Sequence, residues 1–401
     1  DIDNHNLFSK LKSVRKLMLS HNQIHYISNH GIQKLKQLEL LRLGNNQLMK
    51  HNFPMNLWSL PKLSWLTLSG NPMTMPMPMT MTMPSNTTIF SNNNNDNDLP
   101  HISISELQLD DSDHHDQSLL LGKGASGNVM GYTWIPKKNQ DFLKDKKQQV
   151  DLEQQHQPPK RVAIKFIHDV TSDGRAEDEM SICAKVGKRS IQYTRVVGCI
   201  AYLNITTSIP SSSTRDNTVH HAVVMEQLPK DLQDVALPPT IKEITKDRYI
   251  HDDISSSNNP HDNFYPKVTV SFALNALIDV AMALQYLHHD VGVAHGDVYG
   301  HNMKVDVKTG HVYLLDLGAS YVTDQWYSLQ AEHLEIRAFG VFVGEIWLLL
   351  KNVDSKHIEN QPRRMRVLDQ LNMMKIACMD DRVEKRWRFD KILKMLKEYR
   401  Y

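Results

Sequence analysis

The chain has 401 residues with 46 Lys and Arg against 45 Asp and Glu, a net charge of +1, which gives no electrostatic reason to expect nucleic acid or an anionic membrane as a partner. At 40% hydrophobic and 23% charged residues, the composition is that of a soluble globular protein long enough for two or three domains. Cys183, Cys199 and Cys378 form no C-x-x-C pair, which excludes a disulfide framework and a zinc knuckle and points to a reducing compartment, the cytoplasm.

The first seventy residues repeat. VRKLMLSHNQI (14–24), LELLRLGNNQL (38–48) and LSWLTLSGNPM (63–73) share one apolar-x-x-Leu-x-Leu-x-x-Asn-x-apolar pattern, and Asn22, Asn46 and Asn71 are spaced by 24 and 25. An amphipathic helix with chance leucines would not hold three asparagines in register. The pattern resembles the leucine-rich repeat, which implies a short strand per unit, an asparagine bonded to backbone along the solenoid turn, and a protein ligand. Residues 1–73 are assigned to it. One unit cannot bury its own face and terminal units need caps. The chain begins at Asp1 with no N-terminal cap, so further repeats are expected ahead of it.

A linker is expected over 74–116. MTMPMPMTMTMP and SNNNNDNDLP are low-complexity and polar or proline-broken, unable to build a core. The acidic DDSDHHD (110–116) reads as solvated. From 117 onward strand-like runs (SLLLG, RVAIKFI, HAVVME, HVYLLD) precede or alternate with loops, and helical runs follow at 270–287, 334–350 and 389–399. Polar insertions at 136–160 and 246–267 read as exposed loops. The longest apolar run, VFVGEIWLLL, carries Glu345 and is too short to cross a bilayer, so no membrane span is expected.

Several stretches carry chemistry. LLGKGASGNVMGY sets Gly122, Gly124, Gly127 and Val129 in G-x-G-x-x-G-x-V spacing, where glycines let backbone N–H groups approach phosphate oxygens. No helix opens after it, as a dinucleotide fold would need. VAIK places Lys165 in an apolar strand, where it either meets an anion or turns to solvent at a sheet edge. Glu179 and Glu177, in the acidic helical run GRAEDEMSICAKV, are its candidate partners. HGDVYGHN (295–302) sets Asp297 five residues before Asn302, and by composition alone reads as a turn. DLG ends the strand VYLLD at Asp316, a hard oxygen ligand that suits Mg²⁺. Two short strands joined by KTG would bring Asn302 and Asp316 together.

The order G-x-G-x-x-G-x-V, V-A-I-K, acidic helix, H-x-D-x-x-x-x-N, D-x-G is similar to that of the protein kinases, and it covers 117–401. MEQL resembles the adenine hinge. EIRAFGVFVGEI resembles the central helix of the larger lobe, with Glu335 where the family has Asp, and Arg386 stands at the late structural arginine. The resemblance implies an α+β, two-lobed kinase fold behind an α/β repeat solenoid, with ATP and Mg²⁺ as cofactors and protein substrates, serine or threonine hydroxyls first. Gly122, Lys123, Gly124, Gly127, Val129, Ala163, Lys165, Met225, Glu226 and Leu228 would bind nucleotide. Glu179 would hold Lys165, Asp297 would orient and deprotonate the hydroxyl, and Asn302 and Asp316 would hold Mg²⁺.

Departures from the family pattern sharpen the expectation. Gly296 replaces the usual Arg, Tyr299 stands where a Lys usually neutralises the γ-phosphate, and Leu317 replaces the Phe of D-F-G. Asp316 and Glu335 are only 19 residues apart and A-P-E is absent. Phosphorylation of Ser320, Tyr321, Thr323, Tyr327 or Ser328 is therefore not expected to switch the chain on. The alternative to an active kinase is a pseudokinase scaffold in which both parts serve binding.

Overall fold

The computed structural model describes residues 8, 10–74, 99–108, 120–124, 126–136, 160–168, 174–187, 189, 191–204, 221–240, 245–249, 268–352 and 361–400. The acidic cluster 110–116 lies outside the described residues, as do most of the Met-rich and Asn-rich stretches and all but the ends of both polar insertions. The fold mixes sheets and helices.

Three short strands, β1 (Lys16–Met18), β2 (Leu40–Arg42) and β3 (Trp65–Thr67), form a parallel sheet in sequence order. Leu38, Leu41, Leu43, Leu48, Leu63, Leu66 and Leu68 are buried within it. The asparagines lace successive turns together. Asn46 Nδ2 donates to Leu19 O and Leu43 O, both at 2.9 Å, while Ile24 N donates to Asn46 Oδ1 at 3.0 Å. Asn71 does the same one turn on, donating to Leu43 O and Leu68 O and accepting from Leu48 N. Successive strand residues point to opposite faces, so the residues between the leucines would face solvent if the sheet stood alone. Leu40, Arg42, Trp65 and Thr67 are buried nonetheless, because the C-terminal part of the chain covers them.

A second sheet has seven strands: β4 (His101–Ser103), β5 (Leu107–Gln108), β6 (Leu120–Gly124), β7 (Gly127–Trp134), β8 (Lys160–Ile167), β9 (Cys199–Asn204) and β10 (His221–Glu226). Its order is β4-β9-β10-β8-β7-β5, with β6 paired to β7. Alternation along β8 divides the faces. Val162 and Ile164 join Ile102, Ala201, Ala222 and Val224 on one side, while Ala163 and Lys165 look to the other. β4 and β5 correct the expected linker, since 101–108 belongs to this sheet. Strands of three and two residues are too short to show a period in sequence, yet Ile102 is buried, Ser103 and Glu106 form a reciprocal cap, and Trp134 Nε1 donates to Glu106 at 3.3 Å.

The helical part contains α1 (Ala176–Val186), packed near β9 and β10, then α2 (Val270–Gln285), α3 (Ser328–Asn352), α4 (Gln361–Cys378) and α5 (Phe389–Glu398). Small sheets lie among them: β11 (Gln233–Asp234) with β13 (Met303–Val305) and β14 (Val312–Leu314), and β12 (Val293–Ala294) with β15 (Tyr321–Val322). Thr269 caps α2 by accepting from Phe272 N, and Gly292, at φ 70°, ends its continuation through Val291. Val270–Val291 is long and apolar enough to cross a bilayer by length and composition, a property that the longest unbroken apolar run did not reveal. Its most apolar window is 72% buried among neighbouring elements, as in a core helix. At the other end, Tyr321 of β15, Tyr327 just before α3, and Ala331 and Leu334 of α3 share one apolar cluster with the repeat leucines. They cover the open end of the repeat sheet, where a repeat array needs a cap.

Candidate functional site

The site begins with Lys165 on the inner face of β8. Val129 of β7 and Val223 of β10 flank it in register. Lys165 Nζ meets Glu179 Oε1 of α1 at 2.5 Å and Asp316 Oδ1 at 3.0 Å. Burial lowers the pKa of the ammonium, but the two carboxylates, Asp316 and then Glu179, outweigh it and the pKa ends raised. Lys165 therefore stays charged. Of its two candidate partners, Glu179 is the one that turns inward, while Glu177 points outward to His221 at 3.5 Å.

Asp316 follows β14. The antiparallel pairing of β13 with β14, extended by Leu315 N donating to Asn302 O at 2.9 Å, puts Asn302 and Asp316 at the same end of one hairpin, as the KTG turn implied. Asp316 has φ 57°, a left-handed conformation that costs a non-glycine residue roughly 1–2 kcal/mol and that only the surrounding structure can hold. Desolvation raises its carboxyl pKa, but the Lys165 ammonium overcomes that and brings it down to about 2. Ser126, at the tip of the β6–β7 hairpin, lies 3.3 Å from Asp316 Oδ1.

That hairpin carries the glycine motif. A Cβ at Gly122 would meet nothing within 4 Å and one at Gly124 only Gly127 O at 3.8 Å, so packing does not demand glycine at either position and open space lies above the strand. Gly127 differs, since a Cβ there would stand 2.2 Å from Phe166 O. Lys123 is exposed on the same strand. Ala163 and Met225 are paired across β8 and β10. Glu226 meets Lys160 at 2.7 Å, and Leu228 packs against the main core.

HGDVYGHN forms an ordered loop between β12 and β13. His295 is fully buried beside Leu315 O at 2.9 Å. Glu335 of α3 holds the loop by accepting from Gly296 N at 2.6 Å, and its other oxygen meets His288 at 2.7 Å. Asn302 Nδ2 donates to Asp297 Oδ2 at 2.9 Å. On the other oxygen, Oδ1, lies a residue the sequence reading missed: Arg42 of the repeat strand β2, with Nη2 at 2.5 Å. Trp65 of β3 donates to Val298 O at 2.8 Å and stacks on Tyr299, ring centroids 4.2 Å apart. The repeats also reach α1, where Ser69 donates to Asp178 at 3.1 Å and Arg175 to Asn45 at 2.5 Å.

Among the described residues no group of three His, Cys, Asp or Glu could hold a metal by themselves. Asp316 and Asn302 offer two hard oxygen donors, which fits Mg²⁺, an ion that takes few protein ligands and fills its octahedron with phosphate and water oxygens. The open space over Gly122 and Gly124 leaves room for those phosphates.

A leucine rich repeat family model matches residues 3–48. It spans the first two repeat units, and the third follows in the same asparagine ladder. The match suggests a protein-binding segment. No curated protein matches the chain.

Proposed function

We propose that the chain is a protein kinase that transfers the γ-phosphate of Mg·ATP to serine or threonine hydroxyls of protein substrates, in the cytoplasm, with the repeats as a protein-binding module. The observation that carries this reading is Lys165, buried on a central strand and gripped by Glu179 on one side and Asp316 on the other. Asn302 lies at the Asp316 end of the β13–β14 hairpin and donates to Asp297. Lys165 would hold the α- and β-phosphates, and Asp316 with Asn302 would hold Mg²⁺, which supplies charge neutralisation at the transferring group. Asp297 would orient the substrate hydroxyl and take its proton. The hydroxyl oxygen then bonds to the γ-phosphorus as the bond from that phosphorus to the bridging oxygen breaks, and ADP leaves with the electron pair.

Burial of four of the five hydroxyl acceptors after Gly318 (Ser320, Tyr321, Thr323 and Tyr327) supports the expectation that phosphorylation there is not the switch. A second reading, a scaffold that binds nucleotide without turnover, draws on Tyr299, an uncharged ring where the family carries Lys. Incubation with labelled ATP and Mg²⁺ separates them: the chain labels itself or a generic peptide and Asp316→Ala does not. Equal labelling by both, or by neither, overturns the kinase reading.

A further inference from the structure

We propose that Arg42 is a positioning residue for phosphoryl transfer: from the repeat sheet it holds the Asp297 carboxylate, supplying the cation that HGDVYGHN itself lacks. The inference rests on the kinase reading of the same site and adds the repeats to its machinery.

Both oxygens of Asp297 are fixed from outside the residue, Oδ1 by Arg42 and Oδ2 by Asn302. Arg42 is itself held, since Nη1 donates to Thr67 Oγ1 at 2.6 Å and to Gly296 O at 3.2 Å. Its side chain is 6% exposed, and that of Asp297 keeps 16%. Exposed ion pairs contribute little, but a desolvated, multiply bonded guanidinium sets the geometry of its carboxylate. The exposed edge of Asp297 is where a hydroxyl can approach.

The loop is shaped for this partner. Gly296 has φ +78°, and a Cβ there would stand 2.4 Å from Ala319 O and 2.9 Å from Leu66 O, the latter a repeat backbone atom. The space an arginine side chain would need is filled by Ala319 O and by β3, the strand paired with the one that carries Arg42. Tyr299 likewise meets Trp65 instead of projecting a charge. An incoming γ-phosphate would face two carboxylates, Asp316 and Asp297. Lys165 compensates the first and Arg42 the second.

The alternative is that the repeats plug the site and must leave before it works. Their shared apolar cluster with Tyr321, Tyr327, Ala331 and Leu334 opposes this, because withdrawal would expose all four together with the repeat leucines. The contact has the character of a core and not of a removable lid.

The test uses the full chain and three variants, Arg42→Ala, Arg42→Lys and Thr67→Val. Three quantities are measured: kcat and KM on a generic peptide, the Kd of Mg·ATP, and the Kd of Mg·ADP with aluminium fluoride and peptide, a mimic of the planar transferring phosphoryl group. Arg42→Ala is expected to lower kcat on the order of 10²-fold, the cost of a misplaced catalytic group, and to weaken the fluoride complex by a similar factor. KM and the Kd of Mg·ATP stay unchanged. Arg42→Lys recovers part of the loss by keeping the charge without the fork, and Thr67→Val shows a smaller loss of the same kind.

Unchanged or raised transfer in Arg42→Ala overturns the inference, a rise meaning that the repeats block the site. Equal losses of Mg·ATP and fluoride-complex affinity in Arg42→Ala and Arg42→Lys overturn it in favour of a purely structural contact. A wild-type chain that binds Mg·ATP without transferring phosphate overturns it while leaving the nucleotide site. One that binds no Mg·ATP overturns the kinase reading and the inference with it.

Discussion

Asp316 and Asp297 lie on either side of Asn302, and each is met by a cation from a different region of the chain. Lys165 reaches Asp316 from the seven-stranded sheet, 151 residues away in sequence, and is shared with Glu179. Arg42 reaches Asp297 from the repeat sheet, 255 residues away. The first cation is a point charge whose ammonium can turn between two carboxylates; the second is a planar fork pinned by Thr67 and Gly296. On the proposed reading, one wall of the site receives a ligand's charge and the other orients a protein group. It also makes the two regions separable by mutation.

Lys165→Met breaks the first wall and is expected to have the largest effect. The Mg·ATP-induced thermal shift disappears, and stability falls by about 3 kcal/mol because Glu179 is left buried without its cation. Calorimetry reads both, and a thermal shift of undiminished size would remove Lys165 from the site. The same variant changes acid behaviour. The Asp316 carboxyl, held at about 2, contributes stability that is present above its ordinary value near 3.8 and lost as pH falls through about 2. Without Lys165 that low-pH step weakens.

Asp297→Asn breaks the second wall. A positioned base acts on the transfer step alone, so turnover should fall roughly 10²–10⁴-fold with nucleotide affinity intact. Steady-state labelling beside a binding isotherm tests this, and unchanged labelling would mean that HGDVYGHN performs no chemistry.

Glu345 is a third carboxylate, and it meets a hydroxyl instead of a cation. Tyr249 donates to it at 2.8 Å. Burial first, then neighbouring Asp247, push its carboxyl up to about 8 from an ordinary 4.5, which Tyr249 and Lys246 only partly oppose. Its contribution to stability is full below pH 4.5 and is lost as pH rises through about 8. Glu345→Gln should flatten the decline between those limits by a few kcal/mol at most, measured by urea unfolding at pH 5 and pH 8. An equal slope in both proteins would refute the assignment.

The smallest effect is an expected silence. Phosphatase treatment should leave turnover on a generic peptide unchanged, because Ser320, Tyr321, Thr323 and Tyr327 are buried and Ser320 already donates to His295 O at 3.0 Å. A large drop, reversed by an acidic substitution at Ser328, would show that phosphorylation of this segment governs the site.

How legible each wall was follows from how local its signals are. The leucine and asparagine spacing announced the parallel strands and their ladder, because each asparagine bonds its own turn and the next. Lys165 with Glu179, and Asn302 beside Asp316, could be read because short-range pattern places the first pair on an apolar strand and an acidic helix and the second at the ends of two strands joined by KTG. Arg42 could not. In LELLRLGNNQL it occupies an intervening position that a free repeat turns to solvent, and nothing local says that a loop 255 residues away covers it. The covering also explains Gly296 and Tyr299, which in sequence read as departures and in the fold fill space beside Leu66 and Trp65. The strands within 101–108 escaped for a different reason: their burial rests on one isoleucine and a reciprocal cap, too little to lift them from a polar stretch.

The cap that Tyr327, Ala331 and Leu334 place over the last repeat gives the array a direction of growth. Adding a unit between β3 and that cap would carry Arg42 one strand spacing, about 4.8 Å, away from Asp297 and put another side chain in its place. Adding units ahead of β1 would move nothing at the site. The array is thus a ruler with a fixed zero, free to lengthen toward new partners only at the end remote from Asp297.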